Sequence, residues 1–413
     1  MDDSRRLSGE AKAGSRSPIV NTHVHLPPNF SAFDTAEEAV RVAAAEGVAA
    51  MGISNYHDFG VYRRFAAAAT DAAVVPLFGV EIITLIDELP GGGTLVNDPT
   101  NLNRMYLCGK GLTQFDPPSP RAARRMATMR AAGDDRMRQM TASVGARFGQ
   151  AGLDGGETAE QIAASVAGRC GVPIEWVSLQ ERHVAQAFQE LLFRDVEPDG
   201  RAALLGRAFD GPAGVETTDA AAVQEAIRSN LMKAGRPAFI SEAAISFDDA
   251  YRLILELGGI PCYPILADGA SPMCAFEDPP GALVERLLGR GIYCAELIPG
   301  RNRRDVVDRY VVELRRVGIV VMAGTEHNTR RMIPLEPMAL GGEPLSDSSR
   351  EAFWEGACVV AAHQELRASG PTGYVDADGR PAGGFPDSET RIRAFRRIGD
   401  EIITSRSAAR VLA

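Results

Sequence analysis

An α/β fold of parallel strand–helix units is predicted by two observations. The first 85 residues alternate three short apolar runs, rich in β-branched residues, with helical patterns, and the same rhythm resumes after residue 246. In both stretches, residue types that bind metals stand at the carboxyl ends of the runs, where parallel α/β folds collect their chemistry.

The first run, residues 17–26, reads as a strand because Ile19 and Val20 are β-branched and Pro27-Pro28 ends it abruptly. Alternate strand residues share a face, so His23 and His25 aim their imidazoles at one place. Neutral imidazole is a common metal ligand, and the plainer alternative is a pair of buried, hydrogen-bonded histidines. Thr35 and the carboxylates after it open a helix that Gly47 closes. Residues 48–54 form the second strand, which runs into Asn55-Tyr-His-Asp58. His57 therefore falls just past a strand end, where it either caps the loop or binds a metal. A helix near 60–72 leads to the third strand, 73–83, with Glu81 in an apolar setting. A carboxylate buried there without a partner would be costly, and a cation is its natural partner.

Residues 86–240 break the rhythm. A glycine-rich loop at 90–93 and the segment 97–110 precede helical patterns near 119–149, 158–168, 180–193 and 218–233. Thr158 with Gln161, and Thr217 with the acidic residue that follows, are reasonable helix starts. This stretch is expected to be a helical insertion over the mouth of a barrel.

Beyond it, Ser246 caps a helix to Leu257, and strands are expected at 259–266, 291–298 and 318–324. The last runs into Glu326-His327. Strand neighbours face opposite ways, so both can serve one site only if the strand has ended before them. Helices near 347–368 and 387–410 close the chain around a Gly/Pro/Asp-rich loop. His363 on the first of these reads as structural, and Cys262 and Tyr263 read as packing.

The formal charge of -10 argues against bulk nucleic-acid binding, which needs a basic face. No stretch approaches the ~18–20 unbroken apolar residues of a membrane span. The six cysteines are scattered with no Cys-x-x-Cys pair, which points to a reducing cytoplasm rather than a disulfide framework. Residues 1–16 are polar and are expected to be a disordered tail rather than a secretory signal.

The order of motifs resembles the polymerase and histidinol phosphatase (PHP) family of metal-dependent hydrolases. The matching positions are His23 and His25, His57, Glu81 in Gly79-Val-Glu81, and the late Gly324-Thr-Glu-His327. The resemblance covers roughly 17–85 and 246–330. It implies a distorted (β/α)7 TIM-like barrel, formed by 17–85 and 241–413, with 86–240 as a helical insertion after the third strand. It also implies a phosphoesterase that uses metal-activated water on a small phosphorylated metabolite. His23, His25, His57, Glu81, Glu326 and His327 would be the metal ligands, with His57, Glu81 and the insertion's His183 as catalytic candidates. Three departures stand out. Cys262-Tyr-Pro264 replaces the family's Ala-His-Pro, Glu326 directly precedes His327, and no histidine follows Glu81 at short range. These imply one or two divalent ions, Zn, Mn or Fe, rather than a full three-metal cluster.

An anionic substrate needs guanidinium or ammonium groups, for which Arg104, Lys110, Arg301, Arg303 and Arg304 are candidates. A C–N hydrolase, a sugar-acid isomerase and a non-catalytic binding protein are the alternative functions. Nothing in the chain speaks against a homo-oligomer.

Overall fold

The computed structural model describes residues 17–86, 93–241 and 244–411. The expected N-terminal tail lies outside the described residues.

Eight strands form one sheet: β1 (Ile19–Val24), β2 (Val48–Ile53), β3 (Val75–Leu85), β4 (Arg104–Lys110), β5 (Ile245–Ser246), β6 (Ile260–Ile265), β7 (Cys294–Leu297) and β8 (Val320–Ala323). Their order is β1-β2-β3-β4-β6-β7-β8, with the two-residue β5 added to β3. Just past β8, the Glu326 N–H donates to the His23 carbonyl and the His25 N–H donates to the Glu326 carbonyl, both at 2.8 Å. These bonds nearly close the sheet into a distorted TIM-like barrel.

β4 is the departure from a parallel barrel. It runs antiparallel to β3 and β6, with Glu81 opposite Cys108 and Cys108 opposite Cys262. From sequence alone this segment belongs to the helical insertion, and the structure corrects that: Arg104, Gly109 and Lys110 dilute the apolar signal of what is a strand. Met105 and Leu107 pack outward with Val80 and Ile82 of β3. The alternate residues Cys108 and Lys110 therefore turn into the barrel.

Helices α1 (Ala36–Ala45) and α2 (Tyr62–Asp71) cover β1 to β3, and α8 (Phe247–Glu256), α9 (Pro280–Leu288) and α10 (Arg304–Arg316) cover the other half. α1 starts as predicted, with the Thr35 hydroxyl accepting from the Glu38 N–H. The insertion comprises α3 (Pro120–Gln150), α4 (Ala159–Cys170), α5 (Glu181–Asp195), α6 (Pro198–Phe209) and α7 (Ala220–Ile227). It has its own apolar core around Val144, Phe148, Phe188, Leu192 and Leu205. Gln180, at the start of α5, fastens it to the barrel. Its side-chain oxygen accepts from Phe30 N–H at 2.7 Å, and its amide donates to Asn29 at 3.2 Å.

α11 (Asp347–Ser369) and α12 (Ser388–Val411) finish the chain. α11 packs against β8, β1 and β3. Gly356 permits this, since a Cβ there would lie 2.2 Å from the Val321 carbonyl oxygen. His363 is structural as expected: its Nε2 bonds the Gly258 carbonyl and its Nδ1 accepts from Tyr374 N–H. No described helix is long and apolar enough to cross a membrane.

Candidate metal centre

Three donor atoms meet where β1 and β3 face each other inside the barrel. His23 Nε2 lies 3.3 Å from His25 Nε2 and 3.3 Å from Glu81 Oε2, and His25 Nε2 lies 3.2 Å from the same oxygen. All three side chains are buried. Burial pushes the Glu81 carboxyl up, but hydrogen bonds and charge from the two histidines hold it well below the usual range. Donors ~2.0–2.2 Å from a tetrahedral ion stand roughly 3.3–3.6 Å apart, so the donor set and its spacing fit one divalent cation. Apart from the two imidazoles, no hydrogen-bond partner is found for the buried Glu81 Oε2. Such an orphan marks a place for a group supplied from outside.

Behind this trio stands a support that the sequence reading missed. Glu296 of β7 is fully buried, and its Oε2 is 2.6 Å from His23 Nδ1. A carboxylate only accepts, so Nδ1 carries a proton, and Nε2 can offer its lone pair to the trio once its own proton is released to an incoming metal. Burial would depress the His23 pKa, but the Glu296 charge overrides it and raises it well above the ordinary value. Glu296 could have been found by the signal that singled out Glu81, a lone carboxylate in an apolar strand.

Lys110, proposed from sequence to bind substrate, serves this support instead. It is buried, and its Nζ donates to Glu296 Oε1 at 2.8 Å, the Thr22 carbonyl at 2.9 Å and Ser54 Oγ at 3.0 Å. Burial pushes the Glu296 carboxyl up, but Lys110 and then His23 bring it down to about 2. Cys108 joins His23 and Glu296 as a second group of donors. The Lys110 ammonium already supplies the positive charge on that side, so a second cation is not required there.

Close approach of two backbones sets the histidine positions. A Cβ on Gly324, just after β8, would stand 2.2 Å from His23 Cβ and 2.9 Å from its backbone nitrogen. Gly324→Ala is therefore expected to destabilise the fold by roughly 1–3 kcal/mol through overpacking and to weaken metal binding with it. Urea titration with and without metal checks this, and wild-type values for both would refute the close approach.

Other sequence candidates fall elsewhere. His57 has a left-handed backbone (φ 49), and its buried Nε2 has no partner. Burial and then Arg130 lower its pKa to about 4, so it is neutral. It stands beside Tyr56, whose ring stacks on His25 at 5.2 Å, but its nitrogen is not among the converging donors.

β8 has ended before Glu326 and His327, whose backbones are both left-handed (φ 60 and 50). Glu326 turns to the rim, where it is bound by Arg301 and by Asn328. His327 turns away. Thr325 Oγ1 lies 2.7 Å from its Nδ1, the Ile333 carbonyl lies 2.9 Å from its Nε2, and its ring stacks on Phe33. With both nitrogens engaged it offers no donor to the trio.

His183 is likewise a clamp rather than a catalyst in this arrangement. Its Nδ1 accepts from Gln180 N–H at 3.1 Å, it bonds the Pro28 backbone, and burial lowers its pKa to about 3. Arg303 pairs with Asp305, and Arg304 with Glu343 and Asp308, all on the surface. Arg104 reaches Ser241 at the start of β4. Of the five basic candidates, Arg301 alone stands at the rim with a partner that borders the site.

No family model and no curated protein matches this chain. Solved structures share the fold, among them the following two. One is an amidohydrolase from Chromobacterium violaceum, solved with bound sulfate and no metal, at TM-score 0.51 and 18% identity over 81% of this chain and 96% of that one. The other is a protein described as a metal-dependent phosphoesterase from Bifidobacterium adolescentis, at TM-score 0.53 and 16% identity over 81% and 95%. At these identities the likeness is one of fold.

Proposed function

We propose that the chain is a metal-dependent hydrolase of the PHP type, cleaving the phosphoester of a small metabolite in the cytoplasm. The observation that carries this reading is the buried His23–His25–Glu81 trio, with three donor atoms within 3.3 Å of one another. The names of two structural neighbours, one described as a metal-dependent phosphoesterase and one as an amidohydrolase, support a hydrolase reading.

A divalent ion there, zinc, manganese or iron, supplies Lewis acidity toward a phosphoryl oxygen and acidifies water at neutral pH. The chain's own groups do the rest. His23, His25 and Glu81 hold the ion. Glu296 keeps the proton on His23 Nδ1, which leaves Nε2 free, and Lys110 balances the Glu296 charge. Arg301, at the mouth, is placed to neutralise an anionic substrate, and His57 Nε2 can accept a hydrogen bond from an incoming hydroxyl.

Elemental analysis of untagged protein, purified without chelators, tests the reading first. About one equivalent of divalent metal is expected, followed by turnover on a phosphoester panel. An arm of amide substrates separates C–N from phosphoester hydrolysis. Absence of metal, even after reconstitution with each of the three ions, would sink the proposal.

A further inference from the structure

Beside the barrel mouth, the insertion carries positive charge in excess of its carboxylates. Arg136 and Lys233 both bind Glu181, at 2.7 and 2.8 Å. Arg228 lies 3.6 Å from that same carboxylate and 2.7 Å from Glu225. Arg182 reaches Glu225 at 3.3 Å. Four cations thus share two carboxylates, which leaves two positive charges unmatched in these pairings on a protein of net charge -10. The surplus is not out in solvent: the Arg136 and Arg228 side chains are each 11% exposed and that of Arg182 23%. Arg228 Nε is buried with no hydrogen-bond partner. Holding like charges together in partial burial is unfavourable unless an anion joins them.

A cavity of about 580 Å³ opens at this point between α5, α7 and the loop after β8. Arg182, Gln224, Ser229, Asn230, Arg330 and Arg331 are among its walls. That volume suits a small-molecule ligand, and its donors are those that recognise planar or tetrahedral oxyanions. Arg330 and Arg331 are paired with Asp34 and Asp219, whereas Arg182 has only Glu225, a carboxylate also in the wall that it shares with Arg228. Arg182 is therefore the wall cation whose printed partner is shared. Burial and then Arg228 lower its pKa from the ordinary value, while Glu225 and Glu326 oppose them.

Thr329, Arg330 and Arg331 in its wall belong to the loop that follows β8, so the cavity lies on the side of the barrel where the strands end.

We propose that this cavity is an anion subsite in which Arg182 receives a phosphate or carboxylate group remote from the bond being cut. The substrate would then carry a second acidic group besides the one hydrolysed. The link to turnover rests on the hydrolase reading, but the binding of the anion does not.

The test is calorimetric titration of the full chain, stripped of metal with a chelator, with inorganic phosphate and separately with succinate. Wild type is expected to bind at least one of the two. The stronger ligand identifies the acidic group, and affinity should fall as salt rises. Arg182→Gln should weaken binding about tenfold or more, and Arg182→Lys should weaken it less. If Arg182→Gln fails to fold, Glu225→Gln, which frees the Arg182 guanidinium from its carboxylate, should tighten binding. Failure of wild type to bind either anion overturns the subsite, as does a folded Arg182→Gln or Glu225→Gln that binds like wild type. Anion binding that survives in a protein with no affinity for metal would remove the hydrolase reading and leave the subsite standing.

Discussion

Glu81→Gln is expected to lose divalent metal and turnover together while keeping the fold. The amide has the carboxylate's size and shape, but it removes the only formal negative charge among the three converging donors. Its oxygen would still stand near His23 and His25 Nε2, now at 3.3 and 3.2 Å, without the charge that draws a cation there. Loss of a residue one shell further out typically reduces metal affinity 10–100-fold. A direct ligand should exceed that, so a fall of more than about 100-fold in affinity and in kcat is expected. Glu296→Gln, which touches the site only through His23 Nδ1, belongs in the 10–100-fold range. Metal analysis of both variants, with turnover at saturating metal, makes the comparison. A Glu81→Gln protein with full metal and full activity would remove the site.

Lys110→Met is expected to destabilise the protein by about 3–5 kcal/mol at neutral pH, the usual effect of removing one partner from a buried ion pair. Lys110 and Glu296 are 2.8 Å apart, with side chains 3% and 0% exposed, so no solvent can replace the ammonium. The pH dependence has a definite sign. Folded Glu296 titrates near 2, below the ordinary value of ~4.3, so its stabilising contribution is full above ~4.3 and is lost as pH falls through about 2. Without Lys110 the carboxyl pKa rises, and protonation then relieves the buried charge. The stability gap between wild type and variant should therefore be widest near pH 7 and narrow on acidification. Urea titrations at pH 7 and pH 4 measure this. A loss below about 1 kcal/mol at pH 7, or a gap that widens in acid, would contradict the assigned role. The double variant Lys110→Met/Glu296→Gln should recover part of the loss.

These two residues show where sequence reasoning stopped. His23, His25 and Glu81 were legible because strand periodicity and strand ends announce which side chains share a face, and a carboxylate in an apolar run asks for a partner. From sequence Lys110 is a substrate-binding candidate, because it flanks an Asn/Gly-rich stretch that could cover the site. Only the antiparallel pairing of β4 between β3 and β6 turns it inward, and strand direction between distant segments leaves no local trace. His327 shows the converse. Its motif position matches the family pattern, yet the left-handed backbone at 326 and 327 carries it to Thr325 and Ile333.

The sequence by itself determined the strand–helix rhythm of the barrel, the two histidines of the first strand, the carboxylate of the third and the presence of helices between the barrel halves. These follow from local periodicity, capping and β-branching, which act over a few residues. The tertiary structure alone decided that β4 belongs to the sheet, that Lys110 and Glu296 stand behind His23, and that Arg182 shares a cavity wall with the loop after β8. These depend on groups distant in the chain, 273 residues apart for His23 and Glu296, meeting in a space of low dielectric. There the energy of a charge is set by its neighbours in space rather than along the chain.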